Sequence, residues 1–306
     1  MTELSLPLRF TCVWEKDTAD IAPETFLSTV LHVTGLNSAA PPVRSSSEGL
    51  NRVSLKIPAA PSTSREQRAA WTRAIEIELD SPQLAVAVTS GEMALRGPAL
   101  VVLDGDSTLF TGEGIDMVAA HAGTQAEVAA ITAAAMRGEL DFSQSLRRRM
   151  GTLRGLSVSV LDQVRQDYHF SPGATQMVSA FHNHGVKVGV VSGGFMELVE
   201  PPATQIGLDF VKANRFEVAN GQLTGAPEGD IVTAETKETC LRSWAAELGI
   251  GLNRCVAMGD GANDLKMVGA AGLGVAYQAK PALQAAADVR LSWSNLAVLA
   301  TLTLPN

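Results

Sequence analysis

The chain has 306 residues, 46% of them apolar and 18% charged, with a formal net charge of −8. This length points to two domains with apolar residues enough for sizeable cores. The acidic balance excludes a general nucleic-acid-binding face, which needs a cationic surface, and requires any anionic ligand to meet locally placed cations.

In chain order, LRFTCVWE reads as a strand and APETFLSTVLHVTGL as an amphipathic helix with Phe26, Val30, Leu31 and Val33 on its apolar side. PPVRSSSEGLN, rich in Pro, Ser and Gly, reads as a loop. RVSLKIP alternates as a strand does, SREQRAAWTRAIEIELD is a helix with Ser64 as N-cap, and QLAVAVTS is a further strand. The order fits a small sheet covered by helices, ending near residues 90–98.

Beyond that point strands and helices alternate. ALVVLD, VKVGVVS, CVAMGD and LGVAY are short apolar runs, as expected for a mostly parallel sheet buried on both faces. SPGATQMVSAFHNHG predicts a helix with Ser171 as N-cap and Gly185 as its stop. The mostly helical stretch from about 113 to 170 is too long for a simple crossover and predicts a small cap over the sheet. The fold class is therefore α/β, a Rossmann-like parallel sheet with a helical cap, preceded by a smaller α+β unit.

Ligands of such sheets lie beyond the carboxyl ends of the strands. Three predicted strands end there in polar groups: Asp104 with Asp106, then Ser192 with Gly193 and Gly194, then Asp260 with Asn263 and Asp264. Crowded carboxylates repel one another unless a cation sits among them. Hard oxygen donors without thiols or clustered imidazoles suit Mg²⁺, with Asp104, Asp106 and Asp260 as the expected set. Glycines after Ser192 allow backbone N–H groups close to phosphate oxygens, so a phosphate ester is the expected substrate.

DGDSTLFTGEGID, VVSGGF, Lys237 and GDGANDL, in that order, resemble the four motifs of the haloacid-dehalogenase superfamily of phosphatases. GELDFSQSLRRRM, VKANRFEVANGQLTG and YQAKP are similar to the phosphoserine phosphatases within it. The resemblance covers residues near 98 to near 300. It implies Mg²⁺-dependent hydrolysis of O-phospho-L-serine, the last step of serine synthesis. Asp104 would be the nucleophile that carries an aspartyl-phosphate, and Asp106 the general acid and base. Ser192 and Gly193 would bind phosphate oxygens, and Lys237 would neutralise charge on the transferring group. Asn263 would bond near the phosphate, and Asp264 would support Lys237 or the metal. In the cap, Glu113 would pair with the substrate ammonium and Arg149 with its carboxylate, while Met136 and Phe142 would wall the closed pocket. Helix geometry alone does not choose among Arg147, Arg148 and Arg149; the family pattern selects Arg149. Gly105 stands where the family usually has a bulkier apolar residue, and would ease a turn between the two aspartates.

The first part of the chain looks like an ACT-like regulatory or dimerisation domain over residues 1–95, followed by the phosphatase domain over 96–306. EKDTADIAP lacks the glycine with which such domains approach an amino-acid effector, so an effector site and a structural or dimerising role both stay open. Related small phosphomonoesters (phosphothreonine, phosphohomoserine) are alternative substrates, and an amino-acid sensor with a silent catalytic domain is an alternative of another class. His182 and His184, two apart on a helix, are read as structural. Cys12, Cys240 and Cys255 show no ligand spacing. Without a signal peptide or membrane span, the expectation is a reduced cytoplasmic enzyme with no nucleic-acid or membrane partner; a homodimer is compatible with this.

Overall fold

The computed structural model describes residues 5–305 apart from 39, 48 and 82, and of Met136 only the backbone. The first unit runs β1 (Leu6–Glu15), α1 (Pro23–Thr34), β2 (Val43–Ser47), β3 (Leu50–Ala60), α2 (Arg65–Leu79) and β4 (Leu84–Ser90). Its sheet is antiparallel in the order β2-β3-β1-β4, an ACT-like arrangement with two helices on one face. Ser64 caps α2 by accepting from the Gln67 N–H at 3.1 Å. PPVRSSSEGLN departs from its predicted loop: Val43–Ser47 pairs with β3 as an exposed edge strand. A strand open to water on both sides carries no apolar alternation, so its serines read as loop.

The near-continuous apolarity of β1 follows from burial on both faces. Leu8, Phe10, Cys12 and Trp14 meet Phe26, Val30 and Ile75 of the helices. The alternate residue Val13 joins Leu50, Ala85, Ala87 and Met93 in one core with the second sheet. Arg9 and Arg52 are buried at this junction. They donate to the carbonyls of Thr303 and Leu304 at the carboxyl end of the last helix, the negative end of its dipole. Arg65 adds a two-pronged pair to Asp288 at 2.7 and 2.8 Å.

Glu76 on α2 is partly buried, and its Oε1 has no partner among the described residues. Burial pushes its carboxyl up to about 7, against the N–H of Val86 and the charges of Arg290 and Arg73. The unfolded chain keeps a value of about 4.3, so between the two the folded state binds more protons and stability falls as pH rises, by no more than about 4 kcal/mol. A Glu76→Gln variant should therefore melt higher than the parent at pH 8 and close to it at pH 5. Equal shifts at both pH values would refute this.

After α3 (Gly91–Arg96) the second unit begins with β5 (Leu100–Leu103). The cap helices follow: α4 (Gly114–Ala122), α5 (Gln125–Met136), α6 (Phe142–Gly151) and α7 (Val160–Asp167). The chain returns through α8 (Ala174–Asn183), β6 (Lys187–Phe195), α9 (Met196–Gln205) and β7 (Phe210–Asn214), then forms the hairpin β8 (Phe216–Ala219) and β9 (Gln222–Pro227). It closes with α10 (Ala234–Glu247), β10 (Cys255–Gly259), α11 (Leu265–Ala270), β11 (Leu273–Tyr277), α12 (Pro281–Ala286), β12 (Val289–Leu291) and α13 (Ala297–Thr303). The second sheet has the order β12-β11-β10-β5-β6-β7, parallel throughout. Strands β10, β5 and β6 lie side by side, so their carboxyl ends open onto one spot.

Ser171 is not the N-cap of α8. Gly173, at φ 80°, occupies that position, and the Ala174 N–H is taken by the Ser171 carbonyl. The Ser-Pro-Gly sequence forms the turn before the helix rather than its first residues. His182 pairs with Asp209 at 3.0 Å and His184 with the Ala180 carbonyl, both away from the sheet's carboxyl edge. No helix among the described residues is long and apolar enough to cross a membrane.

Candidate active site

Asp104 follows β5 directly and is 3% exposed. Its Oδ1 accepts from the Gly105 N–H at 2.6 Å and lies 2.6 Å from Lys237 Nζ; its Oδ2 faces Asn263 Nδ2 at 3.4 Å. Lys237 reaches this point from the first turn of α10, which Thr233 and Thr236 close with a capping box. Fully buried, Lys237 also donates to Asp264 Oδ1 at 2.7 Å. Burial works to lower its ammonium's value, but Asp104 and Asp264 outweigh that and hold it well above its ordinary value. Burial, and then Asp264, push the Asp104 carboxyl up, against the pull of Lys237.

Asp264 turns its other oxygen onto the N–H groups of Asp260 and Gly261 at 3.2 and 3.1 Å. The Asp260 carboxyl is raised to about 6, first by burial and then by Asp264. One oxygen each of Asp104, Asp260 and Asp264 lie within 4.8 Å of one another, a cluster that can hold a metal ion. Among the described residues, Lys237 is the buried cation of the three carboxylates and the exposed Lys280 lies 3.9 Å from Asp260, which leaves excess negative charge that a hard cation would balance. Asp264 has one oxygen on Lys237 and the other on two N–H groups, and Asp104 Oδ1 is likewise taken by Lys237 and the Gly105 N–H; Asp104 Oδ2, which faces Asn263 at 3.4 Å, and the Asp260 carboxylate are the freer donors. A cavity of about 340 Å³, lined in part by Ser107, Thr111 and Gln278, reaches Asp260.

Asp106 is not in that cluster, and its carboxylate turns the other way. Its Oδ1 accepts from the Tyr168 hydroxyl at 2.6 Å and from the Gly114 N–H at 3.1 Å. Burial raises its carboxyl, with Tyr168 and Gly114 opposing. The two aspartates thus face different partners. The sharp turn that follows falls not at Gly105 but at Ser107, which holds a left-handed φ of 58°. Gly105 serves packing instead. A Cβ there would lie 2.4 Å from Ser192 Oγ and 2.6 Å from Ser192 Cβ, so Ser192 occupies the space a side chain would need. Gly105→Ala should cost about 1–3 kcal/mol of stability by overpacking, and, by displacing Ser192, lower kcat by about 10-fold or more. Thermal melting and steady-state rates would check this; an unchanged kcat would contradict it.

Ser192 is fully buried, and its Oγ accepts from the Gly194 N–H at 2.8 Å. The Gly193 carbonyl is held at 2.8 Å by Asn214 Nδ2, whose own oxygen accepts from the Val232 N–H. Asn214 and Tyr168 were given no role from the sequence: Asn214 lies within the quoted VKANRFEVANGQLTG motif, but its bond to Gly193, like that of Tyr168 to Asp106, spans many residues and shows only in the fold. From the cap, the Phe142 ring lies 3.1 Å from where a Cβ of Gly193 would stand, so the cap rests on the carboxyl end of β6. Arg147 and Arg148 are exposed, whereas Arg149 is partly buried with no partner for its Nε among the described residues. Glu113 takes a hydrogen bond from Ser107 Oγ at 2.9 Å. Its carboxyl is pushed up to about 7, first by lost hydration and then by Asp106. The Met136 side chain lies outside the described residues.

Residues 101–268 match the haloacid dehalogenase-like hydrolase family. Phosphoserine phosphatase SerB2 of Mycobacterium tuberculosis is 50% identical over 207 residues, 68% of this chain and 51% of that protein. The chain thus matches about half the length of this relative. A solved phospho-aspartyl intermediate analogue of a phosphoserine phosphatase has 39% identity and a TM-score of 0.63, covering 67% of this chain and 98% of the other. A HAD family hydrolase from Salmonella enterica serovar Typhi covers 97% of this chain and 98% of its own, with 26% identity and a TM-score of 0.78, so the first unit shares its fold as well. The chain belongs to the haloacid dehalogenase-like hydrolases and, within them, to the phosphoserine phosphatase family.

Proposed function

We propose that this protein is a Mg²⁺-dependent phosphatase that converts O-phospho-L-serine and water to L-serine and phosphate, the last step of serine synthesis. The observation that carries the reading is the buried Asp104–Lys237–Asp264 cluster beside Asp260, with Asp106 held apart from it and turned to the cap. Asp104 attacks phosphorus and the bond to the serine oxygen breaks, while a proton from Asp106 goes to that oxygen. Water then attacks the aspartyl-phosphate, Asp106 takes its proton, and the phosphorus–Asp104 bond breaks. Lys237 balances charge at the reacting group throughout. Ser192, Gly193 and Asn263 position the phosphate.

Asp104 and Asp260 would hold the magnesium ion, with Asp264 behind them; the carboxylate of Asp106 is taken up elsewhere, which leaves its main chain for such a part. Magnesium supplies charge neutralisation at the phosphoryl oxygens. Glu113 would receive the substrate ammonium, and the unpaired Nε of Arg149 the substrate carboxylate. Phe142 and Met136 would close the pocket against water. Residues 96–306 would do this work, with the cap at about 113–170, and residues 1–95 would regulate or dimerise. The three free cysteines suit the reducing cytoplasm.

The test is phosphate release from a panel of phosphorylated amino acids and sugars. The reading expects O-phospho-L-serine to have the highest kcat/KM and Arg149→Lys to erode that preference. A preference for sugar phosphates would overturn the cap assignment.

A further inference from the structure

Two donors fix one oxygen of Asp106. The Tyr168 hydroxyl and the Gly114 N–H both point at Oδ1, at 2.6 and 3.1 Å. They stand at the two crossings between cap and core: Gly114 opens α4, and Tyr168 ends α7. Tyr168 is itself rigid. It is 4% exposed, and its ring stacks on Phe110 at 4.3 Å, which stacks in turn on Phe170 at 5.2 Å. An oxygen that accepts from two donors has no direction left in which to carry a proton toward substrate. The other oxygen, Oδ2, faces the carboxyl end of β6. It lies 2.7 Å from where a Cβ of Gly194 would be, so any side chain at 194 would cover it.

We propose that Tyr168 is a positioning residue that, with the Gly114 N–H, reserves Asp106 Oδ2 as the oxygen that gives up and takes back the proton. The inference rests on the phosphatase reading. As the phosphorus–oxygen bond to serine breaks, the Oδ2 proton passes to the departing alkoxide and leaves a carboxylate still held at Oδ1. In the hydrolytic step Oδ2 receives one proton from the attacking water. The Tyr168 proton stays on its oxygen throughout and only orients its partner.

Leaving groups of different demand separate this role from a purely structural one. Serine must depart as a protonated oxygen, whereas acetate departs from acetyl phosphate without a proton. The experiment measures kcat/KM for both substrates, with Mg²⁺, in the full-length parent and in Tyr168→Phe, which keeps the stacked ring. kcat/KM ends at leaving-group departure, so the shared second step does not blur the comparison. Tyr168→Phe is expected to lower kcat/KM for O-phospho-L-serine by about 10- to 100-fold, part of what general acid catalysis contributes, and to leave acetyl phosphate within about 3-fold by the same principle. Equal losses on both substrates, or no loss on O-phospho-L-serine, overturn the positioning role while leaving the phosphatase reading intact. A parent that hydrolyses neither substrate overturns both.

Discussion

Replacing Asp104 by Asn removes turnover, by about 10⁴-fold or more, because the attacking carboxylate of the proposed reaction becomes an amide that cannot carry the phosphoryl group. The same change leaves the fold as stable as before or more so. Asp104 is buried in a cluster of excess negative charge, where burial and Asp264 already disfavour its ionised form. Asparagine keeps the volume and an oxygen for the Gly105 N–H and for Lys237, and Lys237 keeps Asp264 at 2.7 Å as its counter-charge. Phosphate release and a thermal melt on the same sample check both halves. Retained turnover would mean that the nucleophile lies elsewhere. Lost turnover with a collapsed melt would mean that Asp104 is mainly structural.

Lys237→Met has the opposite profile, with a large loss of both activity and stability. Lys237 is 1% exposed and sits between Asp104 and Asp264 at 2.6 and 2.7 Å. Its removal leaves two buried carboxylates facing each other, and breaking a buried pair in this way costs about 3–5 kcal/mol. The loss of a preorganised positive charge at the reacting centre lowers kcat by about 10²-fold or more. Denaturant unfolding with and without Mg²⁺ distinguishes the two contributions. A divalent cation among the orphaned carboxylates should restore part of the stability, since it opposes the same repulsion, but not the rate. A variant as stable as the parent without Mg²⁺ would contradict the charge balance described for this cluster.

The parts of this site that were legible in the sequence are those that strand ends determine. Asp104, Ser192 and Asp260 each follow a short apolar run, and parallel strands side by side bring such ends together wherever the chain wanders between them. Side-chain direction was less legible. Asp104, Asp106 and Asp260 read as one metal-binding set, yet the Asp106 carboxylate turns to Tyr168, 62 residues away. Gly105 read as a matter of backbone freedom, although its use is the space it leaves for Ser192. Arg147, Arg148 and Arg149 were equal by helix geometry, and only packing makes Arg149 the partly buried one. In the first unit, Ser64 was legible as a cap because its bond is local. The edge strand Val43–Ser47 was not, because it is held by pairing with β3 and buries no face of its own.

Metal-dependent turnover is the most direct test of the whole account. Phosphate release from O-phospho-L-serine should be measured on the full chain in excess Mg²⁺, after chelation, and after Mg²⁺ is restored. The predicted result is turnover that falls to background with chelator and returns with magnesium. Turnover that chelation leaves unchanged would contradict the carboxylate cluster as a metal site, and no phosphate release in excess Mg²⁺ would contradict the phosphatase itself.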